Sequence, residues 1–167
     1  MKPDIYQIEL IGSGFLAVMA KPVSGEWIED EFLGIANEGI LQIVSLLESH
    51  EAYELGLQNE KELCEKNNMS FRSFQIKDRG LPPSVQEFRN LTKSLYHQIA
   101  EGINTVIHCR AGIGRAGMVA AGVLLHCGFE PQEAFEQISK KRGVQVPDTQ
   151  EQKNWLISHC NEIIKSI

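Results

Sequence analysis

The feature that most constrains this chain is the run Ile107-His-Cys-Arg-Ala-Gly-Ile-Gly-Arg-Ala116. It sets Cys109 and Arg115 at the two ends of a loop that carries Gly112 and Gly114. An apolar stretch, Thr105 to His108, precedes the loop, and a helix-like stretch, Ala116 to Cys127, follows it. Strand, glycine loop and helix start in that order collect backbone N–H groups around a small anion. A cysteine in such a ring is favoured as the thiolate, because helix N-terminus and arginine both attract negative charge. The planar fork of Arg115 suits two oxygens of a tetrahedral anion at once, which a lysine does not. A nucleophilic sulfur beside an anion cradle is the equipment for phosphoryl transfer through a phosphocysteine. A core cysteine followed by a mere glycine turn leaves the arginine unexplained.

The rest of the composition sets limits. At 167 residues the chain is expected to be a single domain, residues 1–167, with enough length for a real core. No apolar run approaches a membrane helix, so no membrane anchor is expected. The start, Met-Lys-Pro-Asp-Ile-Tyr, lacks the pattern of a signal peptide. Four cysteines (Cys64, Cys109, Cys127 and Cys160) show no paired spacing, which points to a reduced, cytoplasmic protein. Cys64 and Cys127 are candidates for trapping an oxidised Cys109, although core positions explain them as well. The net charge of −6 argues against nucleic acid as a partner. Attraction of an anionic substrate must then be local, from the loop amides, Arg115, and Arg79 or Arg110. His50, His97, His126 and His159 fall in no metal-ligand spacing, so neither metal nor other cofactor is expected.

Strands are expected at residues 5–10, 15–19, 40–47, 69–76 and 105–108, the first two as a hairpin-like pair. Helices are expected over 27–37, over a polar stretch 50–68 broken at Gly56, and behind the capping box Ser84-Val-Gln-Glu87. Val85, Phe88, Leu91, Leu95 and Ile99 share one face of that helix. Further helices follow the cysteine loop, start near Pro131, and open near Asp148-Thr149 with Leu156, Cys160, Ile163 and Ile167 on one stripe. Strands alternating with helices indicate an α/β fold, a central and mostly parallel sheet flanked by helices. The cysteine loop then lies at the carboxyl end of a strand, where such sheets bind ligands.

His108-Cys109-x-x-Gly112-x-x-Arg115 resembles the signature of the cysteine-based protein tyrosine phosphatases, in particular the small dual-specificity group. The resemblance covers most of residues 40–160 and implies the phosphatase fold, a phosphorylated protein as substrate and a phosphocysteine intermediate. Cys109 is then the nucleophile, Arg115 the clamp, and Arg110, Ala111, Gly112, Ile113 and Gly114 the phosphate-binding loop. His108 implies a supporting role, holding the loop; a core histidine is the plain alternative. Asp78, in Lys-Asp-Arg-Gly-Leu-Pro-Pro83, resembles the family's general acid, some thirty residues before the cysteine. An aspartate bonding its own turn is the competing reading. Asp148 and Gln152 sit where the family positions the hydrolytic water, but Asp148 or Thr149 with Glu151 or Gln152 also reads as a helix cap.

One position departs from the pattern. Most members carry Ser or Thr after the arginine, and this chain has Ala116, as do the phosphatases of regenerating liver. A hydrogen bond to a charged group is worth about 1.5–3 kcal/mol, so normal attack and slow phosphocysteine hydrolysis are expected. The prenylation box of that group is not expected, since the sequence reads Ile164-Lys-Ser-Ile167 where that box would stand. Two rivals stand beside a phosphotyrosine phosphatase active also on phosphoserine or phosphothreonine. One is a phosphate-dependent binding module or slow pseudophosphatase; the other is a phosphoinositide phosphatase, disfavoured by the neutral Ile113. Sequence leaves the oligomeric state open.

Overall fold

The computed structural model describes residues 2–165; Ile167, expected on the last apolar stripe, lies outside the described residues. Strands β1 (Tyr6–Ile11) and β2 (Gly14–Met19) form the antiparallel hairpin, with a bulge between Gln7 and Glu9. Helix α1 (Ile28–Asn37) leads to β3 (Gln42–Ser45). The polar stretch expected as an interrupted helix is two short ones, α2 (Ser49–Glu54) and α3 (Glu60–Lys66), parted at Gly56. Then come β4 (Ser70–Ser73), α4 (Val85–Ala100), β5 (Thr105–His108), α5 (Gly114–His126), α6 (Pro131–Arg142) and α7 (Gln150–Ile164).

The five strands lie in the order β1-β2-β5-β3-β4, and every pairing except β1 with β2 is parallel. Both faces of the sheet are covered, so the inner strands read as continuous apolar runs rather than as alternation. Leu16, Val18, Val44 and Ile107 point into a core built with α4, α5, α6 and α7. Their neighbours Ala17, Met19, Ile43 and Val106 point the other way, against α1 and α3. The result is the expected α/β fold, a mostly parallel sheet between two helical layers.

Two expected strands are longer than the observed ones. Residues 40–47 shorten to Gln42–Ser45 and residues 69–76 to Ser70–Ser73. The extended backbone nonetheless continues beyond them: Phe74 N–H donates to the Ser45 carbonyl, Leu46 N–H to His108 and Ile76 N–H to Leu46. This bonding past the carboxyl ends of β3, β4 and β5 carries residues 46 and 76 to the same edge of the sheet as Cys109. Among the described residues, no helix is long and apolar enough to cross a membrane.

Candidate active site

β5 is the middle strand, with β2 on one side and β3 on the other, and His108 is in register with Met19 and Ser45. Cys109 therefore leaves the sheet at its centre. The loop that follows turns sharply at Gly112, whose φ is +73° and where a Cβ would stand 2.5 Å from the Met19 carbonyl oxygen. A side chain there meets both backbone strain and a clash. Arg110 is fixed from the same side, since its carbonyl accepts a 3.1 Å bond from Lys21 N–H. Helix α5 begins at Gly114, two residues earlier than the sequence pattern starts it. Its first N–H groups have no acceptor within the helix and stand free for an anion.

Cys109 is buried, and it forms the floor of a cleft of about 210 Å³ lined also by Asp78, Arg79, Arg110, Ala111, Ile113, Gly114, Arg115, Asp148 and Gln152. Of the residues expected in the phosphate loop, Gly112 alone is turned away from this cleft, toward β2.

Arg115 is 2 % exposed, an expensive place for a cation unless its donors are satisfied. Both of its terminal nitrogens find acceptors. Nη1 and Nη2 donate to the two carboxylate oxygens of Glu51 at 2.7 and 2.9 Å, and Nη1 donates also to the Ile76 carbonyl at 2.9 Å. Nη2 reaches Asp78 Oδ1 at 3.1 Å. Burial by itself would push the Glu51 carboxyl up. Hydrogen bonds from Arg115, the Glu48 N–H and Arg110 reverse this and hold it at about 2. Burial likewise works against the Arg115 charge, and Glu51, Cys109 and Asp78 outweigh it, raising the guanidinium above its ordinary range. Arg110, expected as a free attractor of phosphate, is instead tied to Glu51 Oε2 at 3.2 Å.

Asp78 lies two residues beyond Ile76 and leans between the two arginines, with Oδ2 at 3.9 Å from Arg110 Nε. It is no mere turn residue, for its carboxylate faces the cleft. Arg79, the other candidate attractor, makes an exposed pair with Asp148 at 3.3 Å. The reading of residues 148–152 as a cap is correct: Thr149 caps α7, its Oγ1 accepting from Gln152 N–H, while Gln152 Oε1 accepts from Thr149 N–H. The cap and the cleft are not exclusive. Gln152 Nε2 donates to the Gly80 carbonyl at 3.1 Å and so joins the start of α7 to the Asp78 loop. Gly114 lets these walls close, because a Cβ there would stand 2.9 Å from Asp148 Cβ.

His108 is fully buried at the end of β5, its Nε2 2.7 Å from Glu60 Oε2 and its Nδ1 3.1 Å from the Cys109 carbonyl. Glu51 and Glu60 are the two site residues that sequence reasoning missed. Ala116 is buried in the first turn of α5. Neither Cys64 nor Cys127 lines the Cys109 cleft, and burial pushes their thiols up to about 12 and about 11. Among the described residues, no group of three or more His, Cys, Asp or Glu side chains is placed to hold a metal.

A family model described as the DSP-PTPase phosphatase domain of a Swiss Army Knife protein matches residues 6–160. Over 79 residues the chain is 33% identical to a tyrosine-protein phosphatase of Autographa californica nuclear polyhedrosis virus, covering 46% of each. Over 85 residues it is 31% identical to protein tyrosine phosphatase type IVA 2 of Mus musculus, covering 50% of each. The matched stretches thus span about half the length of these curated relatives. The fold is similar to kinase associated phosphatase bearing serine for its catalytic-site cysteine, with TM-score 0.89 at 21% identity over 100% of this chain and 99% of that one. It is also similar to the active form of Tk-PTP, with TM-score 0.78 at 26% identity over 100% of both chains. A family match of that length, on a fold these phosphatase structures share, makes the chain a member of the DSP-PTPase branch of the cysteine-based protein tyrosine phosphatases.

Proposed function

We propose that this chain is a cysteine-dependent phosphatase that removes phosphate from phosphotyrosine, and also from phosphoserine or phosphothreonine, in proteins. The observation that carries this reading is the meeting of Cys109, Arg115 and Asp78 in one cleft, with Asp78 and Arg115 3.1 Å apart. Cys109 lies at the cleft floor, so the phosphate has to arrive on a side chain long enough to reach it. In the first step the Cys109 sulfur bonds to phosphorus as the ester P–O bond breaks. The bonding pair leaves with the oxygen, which takes a proton from Asp78. In the second, water attacks phosphorus and gives its proton to Asp78, and the S–P pair returns to sulfur. Glu51 occupies Nη1 and one side of Nη2 of Arg115, which directs Nε and the other side of Nη2 to phosphate once Asp78 turns to the leaving group.

The engagement of Arg110 by Glu51 favours a single phosphate ester over a polyphosphorylated headgroup, since it withdraws a loop cation from further phosphates. The chemistry needs a reduced thiol, and a cytoplasmic location fits it. Rapid mixing with p-nitrophenyl phosphate tests the reading. A stoichiometric burst and steady turnover, both abolished by Cys109→Ser, are expected. Turnover that survives Cys109→Ser overturns the mechanism, and an inert protein that still binds phosphopeptide makes it a binding module.

A further inference from the structure

The steps above leave the segment between β2 and α1 without a task. Lys21 N–H donates to the Arg110 carbonyl at 3.1 Å, which seats the start of this segment on the phosphate loop. Val23 follows two residues later, no more than about 7 Å of chain away. At the other end, Glu31 N–H donates to the Trp27 carbonyl at 3.0 Å, and this helical turn places Asp30 and Glu31 beside Trp27. Glu31 Oε2 accepts from Val23 N–H at 2.7 Å, so the segment is folded back on itself. Val23, Trp27, Asp30 and Glu31 together line a second cleft, of about 300 Å³.

This cleft joins apolar surface to negative charge. Val23 is 54% and Trp27 66% exposed. From Pro22 to Glu60 the chain carries nine carboxylates and neither lysine nor arginine. Carboxylates in a first turn suit the helix dipole, which accounts for Glu29, Asp30 and Glu31 but not for the bare indole among them. Lys66 pairs with Glu29 at 3.0 Å, whereas among the described residues no lysine or arginine pairs with Asp30 or Glu31. The face of an indole and a carboxylate beside it attract the same ligand, a guanidinium or an ammonium.

We propose that the second cleft is a substrate-docking groove, which takes an arginine or lysine side chain from the flank of the phosphoprotein whose phosphate enters the Cys109 cleft. The inference rests on the phosphatase reading above. The two clefts divide the substrate by charge: the phosphate loop with Arg115 holds the dianion, and Trp27 with Asp30 and Glu31 holds the cation. An extended chain advances about 3.3–3.6 Å per residue, so the basic residue stands about two to four positions from the phosphorylated one. An acidic residue at the same place is repelled, which makes the groove a device of selection as well as of affinity.

Phosphotyrosine peptides with alanine flanks, and with a single arginine or glutamate at successive positions on either side, test the groove. For each peptide, kcat/KM is divided by that of the same protein on p-nitrophenyl phosphate, which has no flank. Arginine at one position or two adjacent ones is expected to raise this ratio about tenfold over alanine, through KM, and glutamate there to lower it. Sodium chloride should erode the gain by screening the exposed charges. Trp27→Ala and Asp30→Asn should each remove most of it, and Asp30→Lys should turn the preference toward glutamate. Trp27 and Asp30 are both exposed, so these variants are expected to fold.

The inference is overturned if no arginine raises the ratio more than about twofold, or if the gain survives both Trp27→Ala and Asp30→Lys. A dimer that buries Trp27 also overturns it and gives the groove to a second copy of the chain. The two readings fail separately. Cys109-dependent turnover without any flank preference removes only the groove, whereas turnover that survives Cys109→Ser removes the phosphatase mechanism. If the protein is inert, binding of the same peptides, read by fluorescence polarisation, decides the groove by the same ratios of arginine to alanine.

Discussion

Arg115 and Glu51 meet fork to fork through bonds of 2.7 and 2.9 Å, although 64 residues separate them in the chain. The pair leaves the guanidinium no freedom to rotate about its own plane, so the edge it presents to the cleft is set before any phosphate arrives. Preorganised donors of this kind act where charge develops, without reorganising at the moment of reaction.

Glu51→Gln should therefore be severe. Removing one partner of a buried ion pair costs about 3–5 kcal/mol, because the remaining charge is left uncompensated. Urea unfolding should show a loss in that range, and the folded fraction should retain less than about a tenth of its kcat/KM on an aryl phosphate. A loss below about 1 kcal/mol would mean that water or a neighbouring carboxylate takes over the contact.

Asp78→Asn separates leaving groups. The Asp78 carboxyl faces the cleft and is half exposed, free to meet an ester oxygen. General acid catalysis contributes about 10²–10⁴-fold. With phosphotyrosine peptides, whose leaving oxygen needs its proton, turnover should fall by that factor. With p-nitrophenyl phosphate, whose anion leaves unaided, the fall should be far smaller. Equal losses on both substrates would assign Asp78 to binding instead.

Ala116→Ser addresses the second half-reaction. A hydroxyl bonded to the departing thiolate is worth about 1.5–3 kcal/mol, which corresponds to about a ten- to hundredfold faster slow phase in a rapid-mix experiment. The burst rate should not change, and its amplitude should shrink only as hydrolysis approaches the rate of attack. Since Ala116 is fully buried, the same substitution should cost some stability in the resting protein, and a thermal melt checks this. An unchanged slow phase would place the rate-limiting step elsewhere.

Acid should unfold the protein in two stages. Burial, with Arg89, His97 and Lys93 adding to it, lowers His126 from 6.5 to about 4. The unfolded chain therefore takes up this proton first, and stability declines as pH falls from about 6.5 to about 4, by at most about 1.4 kcal/mol per pH unit. Glu51, lowered from 4.5 to about 2, contributes stability that is fully present above 4.5 and lost as pH falls toward 2. Urea midpoints across this range should follow both stages. His126→Gln should flatten the upper stage and leave the lower one intact.

That Cys109, Arg115 and Asp78 line one cleft was legible because each belongs to a local pattern. Cys109 and Arg115 lie within seven residues of one another on a strand–loop–helix run, and Asp78 sits in a loop marked by Gly and Pro. The strands were legible from apolar runs, although their paired portions are shorter, because pairing depends on neighbours that periodicity does not show. Glu51 and Glu60 carry no such pattern. Glu51 stands where a capping box wants a carboxylate, and one oxygen does accept from Glu48 N–H while both face Arg115. Glu60 did leave a trace: with Leu63 and Cys64 it forms the buried stripe of α3, and a carboxylate on an apolar stripe needs a buried partner. Gln42, on an inner strand, left the same trace and finds Gln98 and Thr105.

The Gln152 amide is pinned at both ends, its oxygen on Thr149 and its nitrogen on the loop of Asp78. A glutamine left free would surrender about 1.5–2 kcal/mol of rotamer entropy on being fixed. Folding has already taken that loss here, at the wall of the Cys109 cleft. Association therefore meets a surface with little left to freeze, and the binding free energy that a looser wall would absorb remains available to hold the substrate.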